Sequence, residues 1–108
     1  MFYALLDPTK GSEQAGTRPV IIVSRDAINH NSSVVVCVPV TDVANCTKIY
    51  PSQILLKAGC GGLKVDSVAM GEQVRAITID RLTTRLGTLD RRSLSELSKR
   101  LKIALDLD

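Results

Sequence analysis

Lys10, Ser12, Glu13, Gln14, Thr17 and Arg18 fall within nine positions of the segment DPTKGSEQAGTRPV, residues 7–20. Apolar runs flank it, FYALL before and VIIV after. Such a stretch belongs at the surface, because burial would leave its backbone polar groups unpaired. Two readings stay open on the residues alone: a solvated connection between strands, or a loop that presents charge and hydrogen-bonding groups to a ligand. The chemistry within reach is narrow. The single histidine, His30, lies in a polar stretch, so a Ser-His-Asp relay has little to build on. Cys37, Cys46 and Cys60 lack CxxC spacing, and neither a metal-ligand cluster nor a cofactor motif is legible. One reaction asks for less, the cleavage of RNA by transesterification, in which the substrate's own 2′-hydroxyl is the nucleophile. A protein then needs only to align that hydroxyl with the phosphate and stabilise the developing charge. An arginine fork with one or two hydroxyls or amides meets that need. Arg18 is the candidate fork, pushed towards an extended backbone by Pro19. Thr41 ends the third strand-like run and approaches Arg18 if the second and third strands pair.

The elements that must position these groups are mostly strands. Residues 2–6, 19–24 and 33–40 are β-branched or apolar runs bounded by turn formers. The chain opens inside the first of them, so that strand is expected to be short. DAINHNS reads as a short helical turn with Asp26 as its N-cap. Pro39 lacks a ladder donor, which places it at an edge or bulge. Residues 42–51 read as a loop and 52–57 as a short strand. AGCGGL reads as a tight turn that lacks the GxxxxGK[ST] pattern of a phosphate cradle. Residues 66–79 read as one long strand in which Gly71 marks a bulge or a close backbone approach. Asp80 begins a turn, and RLGTL is expected to add a last strand.

A helix is expected over 91–106 with Asp90 as N-cap. Leu94, Leu97, Leu101, Ala104 and Leu105 form its apolar face, and Arg92, Lys99, Arg100 and Lys102 lie mostly off it. The fold class is therefore mainly β with a C-terminal helix: a small, mostly antiparallel, partly closed barrel, in a single domain over residues 1–108.

Composition sets the outer bounds. Aromatics are 3% with no Trp, so Phe2, Tyr3 and Tyr50 are the whole supply and an aromatic stacking platform for bases is not expected. The net charge of +3 lies in the second half: residues 55–108 carry ten basic and seven acidic side chains, whereas residues 1–54 carry four of each. That bias permits a polyanion partner and equally fits a solvated basic face. The odd cysteine count points to a reducing, cytoplasmic setting. No signal peptide is expected, since FYALL is too short for an apolar core and lacks a basic lead. No run approaches the roughly 20 apolar residues that span a bilayer, so no membrane partner is expected.

The segments DPTKGSEQAGTRPVIIVS, VCVPVT, YP and GGLKVDSVAMGEQVRAI, in this order and spacing, resemble the MazF/PemK toxins of bacterial toxin–antitoxin systems over nearly the whole chain. The resemblance implies an SH3-like barrel that works as a homodimer. It also implies a metal-independent, ribosome-independent endoribonuclease that cuts single-stranded mRNA to a 2′,3′-cyclic phosphate and a 5′-hydroxyl. A cognate antitoxin is implied as partner, its acidic, disordered tail lying across the RNA groove. The catalytic pair carries over onto Arg18 and Thr41, and Glu13 matches a position implicated in activity. An arginine side chain stays protonated at neutral pH, which makes it a poor general base. Arg18 is thus expected to stabilise the phosphorane, Thr41 to donate a hydrogen bond, and Glu13 to act as base or to orient Arg18. Lys10, Ser12, Gln14, Ser67, Gln73 and Arg75 are candidate RNA contacts, with strand-face structure or a dimer interface as the alternative for them. Two other functions remain open: a protein-binding toxin like the gyrase poisons of the same fold, and an inactive RNA- or antitoxin-binding relic.

Overall fold

The computed structural model describes residues 1–6 and 16–107. Within them the chain runs β1 (Phe2–Leu6), β2 (Gly16–Ile22), α1 (Asp26–Asn31), β3 (Val34–Asp42), β4 (Gln53–Leu56), β5 (Ser67–Met70), β6 (Arg75–Thr78), β7 (Leu82–Arg85) and α2 (Arg91–Ala104). The strands pair antiparallel in the order β4-β5-β3-β2-β1-β7, and β6 also pairs with β3.

β3 is the spine. Its first half, Val34–Cys37, pairs with β6, and its last residues, Val40–Asp42, pair with β5 on the same side. β6 and β7, joined by the turn Ile79–Arg81, are the two edges of the five-strand part β7-β1-β2-β3-β6. The sheet therefore curls towards a barrel without closing. Strand alternation sends Ala4, Leu6, Val20, Val35, Cys37 and Ile77 into one core, inside the curl. Ile21, Val38, Val40, Ile54, Leu56 and Ala69 enter a second core on the other face, where Leu97 of α2 is buried among them.

Pro39 stands in the central strand, not at an edge. Val23 N–H donates to Val36 C=O at 2.9 Å, so the backbone groups of even-numbered β3 residues here face β2. The missing N–H of Pro39 faces the other side, between the last residue paired with β6 (Cys37) and the first paired with β5 (Val40). No ladder bond is lost there. The same junction explains why residues 66–79 are not one strand. A 3₁₀ turn, Gly71–Gln73, separates β5 from β6, and Gly71 makes the close approach its residue type signals. Its N–H donates to Ser52 C=O at 3.1 Å, and a Cβ at Gly71 would stand 2.5 Å from that oxygen.

Three further expectations are corrected. Asp26 is the first helical residue, and the N-cap is Arg25, which makes no side-chain capping bond. The last strand is LTTR (Leu82–Arg85), because RLGTL reaches Gly87, whose carbonyl holds the Met1 amine at 2.7 Å. The apolar face of α2 is only partly covered: Leu97 is buried, whereas Leu94 and Leu105 are exposed. Asp90 does cap α2, accepting from Ser93 N–H at 3.1 Å. Among the described residues, no helix is long and apolar enough to cross a membrane.

Candidate functional site

β2 and β3 pair through Ile22–Cys37, Ile21–Val38 and Val20–Pro39, and there the ladder stops. Arg18 and Thr41 each lie two residues beyond that last pair, Arg18 paired with Ala4 of β1 and Thr41 with Val68 of β5. Alternation puts Arg18 with Val20 and Thr41 with Cys37, so both project from the face that lines the curl, at its mouth. Arg75 is paired with Cys37 across β6 and shares that face. Burial pushes the Cys37 thiol up to about 11, with the Arg75 charge acting in the opposite direction. Cys37 is accordingly a neutral core thiol and not a nucleophile.

Thr41 is 5% exposed, and its Oγ1 accepts from Asn45 Nδ2 at 3.1 Å. A hydroxyl that accepts in this way keeps its own hydrogen for another acceptor. Asn45 is placed by an Asx turn: Asp42 Oδ1 accepts from Ala44 N–H at 2.8 Å, closing the 3₁₀ turn Val43–Asn45 directly after β3. Beside Thr41 lies a cleft of about 340 Å³, lined also by Asn45, Cys46, Lys48, Tyr50, Gln53, Glu72 and Gln73.

The far wall of the cleft is a polar network. Gln53 is 6% exposed and satisfied at both ends of its amide. Its Oε1 accepts from Tyr50 N–H at 3.1 Å, and its Nε2 donates to Glu72 Oε2 at 2.6 Å. Ser52 Oγ donates to the other Glu72 oxygen at 3.0 Å. Thr41 and Gln73 thus meet in one cleft. Arg18 and Arg75 lie on the same sheet face as Thr41 but do not line that cleft. Ser67 is not brought to it. It is 2% exposed, its hydroxyl donates to Val65 C=O at 2.9 Å, and it lies one residue before Val68, the partner of Thr41, so it faces the other way. Lys10, Ser12, Glu13 and Gln14 lie outside the described residues.

Asn45, Lys48, Tyr50, Gln53 and Glu72 escaped the reading of the residues. A signal existed for Asn45, since Asp42 after a strand favours an Asx turn. Gln53 offered none, because only the fold brings it to Glu72. Among the described residues no group of three or more His, Cys, Asp or Glu is placed to hold a metal ion.

Comparison with known proteins bears on this geometry. The model of the PemK-like, MazF-like toxins of type II toxin–antitoxin systems matches residues 1–105. "Endoribonuclease MazF9" of Mycobacterium tuberculosis is 41% identical over 107 residues, covering 94% of this chain and 89% of that protein. The fold is that of the Mycobacterium tuberculosis toxin MazF-mt6, with a TM-score of 0.82 at 22% identity over 99% of this chain and 96% of that one. A MazE–MazF crystal structure from Deinococcus radiodurans matches at a TM-score of 0.75 and 26% identity, over 99% of this chain and 92% of that one.

Proposed function

Because the chain belongs to the PemK-like, MazF-like toxin family of type II toxin–antitoxin systems, we propose that it is an endoribonuclease that cuts single-stranded mRNA by transesterification. The observation that supports this reading is that β2 and β3 pair as far as Val20–Pro39, with Arg18 and Thr41 each two residues beyond that last pair. In the reaction the 2′-oxygen bonds to phosphorus and the bond from phosphorus to the 5′-oxygen breaks. The 2′-hydroxyl proton passes to a base and the leaving 5′-oxygen takes up a proton. The products are a 2′,3′-cyclic phosphate and a 5′-hydroxyl. Arg18 stabilises the negative charge of the phosphorane, and Thr41, oriented by Asn45, donates a hydrogen bond to it. Glu13 is the base or orients Arg18, and it lies outside the described residues. Gln73 and Arg75 contact the strand, together with Lys10, Ser12 and Gln14. Ser67 is buried, and its part is to hold the start of β5.

The toxin works in the bacterial cytoplasm, where its three unpaired cysteines stay reduced. It forms a homodimer, and a cognate antitoxin silences it. The Deinococcus MazE–MazF complex supports such a partner. An acidic antitoxin tail suits Lys48 in the cleft and Arg18 and Arg75 on the sheet face they share with Thr41.

The experiment is incubation with single-stranded RNA in excess EDTA followed by end-group analysis. Cyclic phosphate and 5′-hydroxyl ends are expected. Intact RNA in EDTA with cleavage in magnesium contradicts the mechanism. Full growth inhibition by both Arg18→Ala and Thr41→Ala moves the reading to a protein-binding toxin.

A further inference from the structure

Tyr50 stands on the rim of the Thr41 cleft and is not explained by the fold. The residue is 49% exposed, among the large hydrophobic side chains left open to solvent. Yet the turn beneath it is pinned from four directions. Tyr50 N–H donates to Gln53 Oε1 at 3.1 Å, Gln53 N–H donates to Tyr50 C=O at 2.9 Å, Arg100 Nη1 of α2 donates to Pro51 C=O at 3.1 Å, and Gly71 N–H donates to Ser52 C=O at 3.1 Å. An exposed ring on a fixed backbone loses little entropy on binding.

The surroundings of the ring are asymmetric. Lys48 Nζ lies 4.7 Å from the ring centroid and lines the Thr41 cleft. Lys48 does not line the two other recesses that Tyr50 borders, a mixed one towards Leu55, Glu96 and Arg100 and a mainly apolar one towards Ile103 and Ala104. Tyr50 therefore borders both a polar cleft, in which Lys48 is the cation and the Glu72 carboxylate is held by Ser52 and Gln53, and a more apolar hollow at Ile103 and Ala104. A nucleotide has the matching halves, a flat apolar base and an anionic phosphate.

We infer that Tyr50 is a stacking platform for one base of the bound RNA strand, with Lys48 taking the adjoining phosphate. The base lies on the apolar side of the ring, and the strand crosses the ring edge to bring its phosphate to Lys48. Thr41 lines the same cleft as both residues, so the stacked nucleotide neighbours the scissile one. The low aromatic count argues against an aromatic platform for bases, but a count does not say where a single ring stands, and this one stands at the cleft. The inference rests on the ribonuclease reading, and the test separates the two.

The chain has two tyrosines and no tryptophan, so a Tyr3→Phe background makes Tyr50 the sole intrinsic fluorophore. Tyr3 lies on β1, away from the cleft. The probe is a short single-stranded all-deoxy oligonucleotide, which binds but lacks the 2′-hydroxyl needed for cleavage. An end-labelled copy reports binding by anisotropy. Saturating quenching of Tyr50 emission that tracks the anisotropy is expected, and an abasic oligomer of equal charge is expected to bind without quenching. Tyr50→Ala should raise Kd and KM about tenfold, and Tyr50→Phe should restore both to within about twofold of the parent. Binding without quenching, or unchanged KM in Tyr50→Ala, overturns the platform and leaves the ribonuclease reading standing. Emission that varies with protein concentration and ignores the oligonucleotide overturns it in favour of a protein-covered face. A parent protein that neither binds the oligonucleotide nor cleaves RNA removes the ribonuclease reading and the platform together.

Discussion

Two polar clusters in this molecule contain the same kinds of groups and do different things. At the start of α2, Cys60, Asp90 and Ser93 bring together a thiol, a carboxylate and a hydroxyl. At the end of β3, Cys46, Glu72 and Thr41 line one cleft. The α2 cluster is consumed by its own backbone. Asp90 accepts from both Ser93 N–H (3.1 Å) and Ser93 Oγ (2.6 Å), and the Cys60 thiol lies 3.6 Å from the same carboxylate. Those bonds hold the Asp90 carboxyl below its ordinary range, led by the Ser93 hydroxyl. Every group answers to an N-terminal helix donor or to its neighbour. In the β3 cluster the polar groups fix one another and leave space between them: Asn45 orients Thr41, and Ser52 and Gln53 hold Glu72. A collection of reactive side chains is thus a site only where the backbone's own needs are met elsewhere.

The largest expected effect falls at the β3 end. Arg18→Ala should lower kcat about 10²- to 10³-fold, on the scale of one lost oxyanion donor, with the melting temperature unchanged. A loss of both would make Arg18 a structural residue. Gly71→Ala is next and acts on stability, because its Cβ would meet Ser52 O at 2.5 Å. A cost of about 1–3 kcal/mol in denaturant unfolding is expected, together with weaker RNA binding, since Ser52 helps hold Glu72. Asn45→Ala should lower kcat about five- to tenfold through a misoriented Thr41, with KM less affected.

The smallest effect belongs to α2. Asp90→Ala should lower the melting temperature without changing cleavage. The folded pKa of Asp90 is depressed, so its contribution is complete above the ordinary carboxylate range and is lost as pH falls through the folded value. The melting difference between parent and Asp90→Ala should accordingly shrink in acid. A difference that grows in acid would contradict the capping role.

Much of this was legible because it is local. Apolar and β-branched runs bounded by turn formers marked β1, β2 and β3, and Asp90 with the leucines after it marked α2. Gly71 announced a close approach, although not that the approach would break a strand. What local pattern does not carry is partnership across the sheet. Pro39 reads as an edge residue until β5 and β6 are seen to share one side of β3. Ser67 reads as a polar contact until pairing with Asp42 turns it away from Thr41. Gln53 and Glu72 are far apart in sequence and meet only because β4 and β5 pair. Tyr50 is one aromatic among three, and its importance lies in the turn that holds it.

The most direct test sets the two clusters side by side, measuring RNA cleavage rate and melting temperature for Thr41→Val and Asp90→Ala. Thr41→Val keeps the shape and removes the hydroxyl; it should lose about a hundredfold in kcat and melt with the parent. Asp90→Ala should cleave at the parent rate and melt earlier. Parent-like cleavage by Thr41→Val, or loss of cleavage in a folded Asp90→Ala protein, would contradict the assignment of the chemistry to the end of β3.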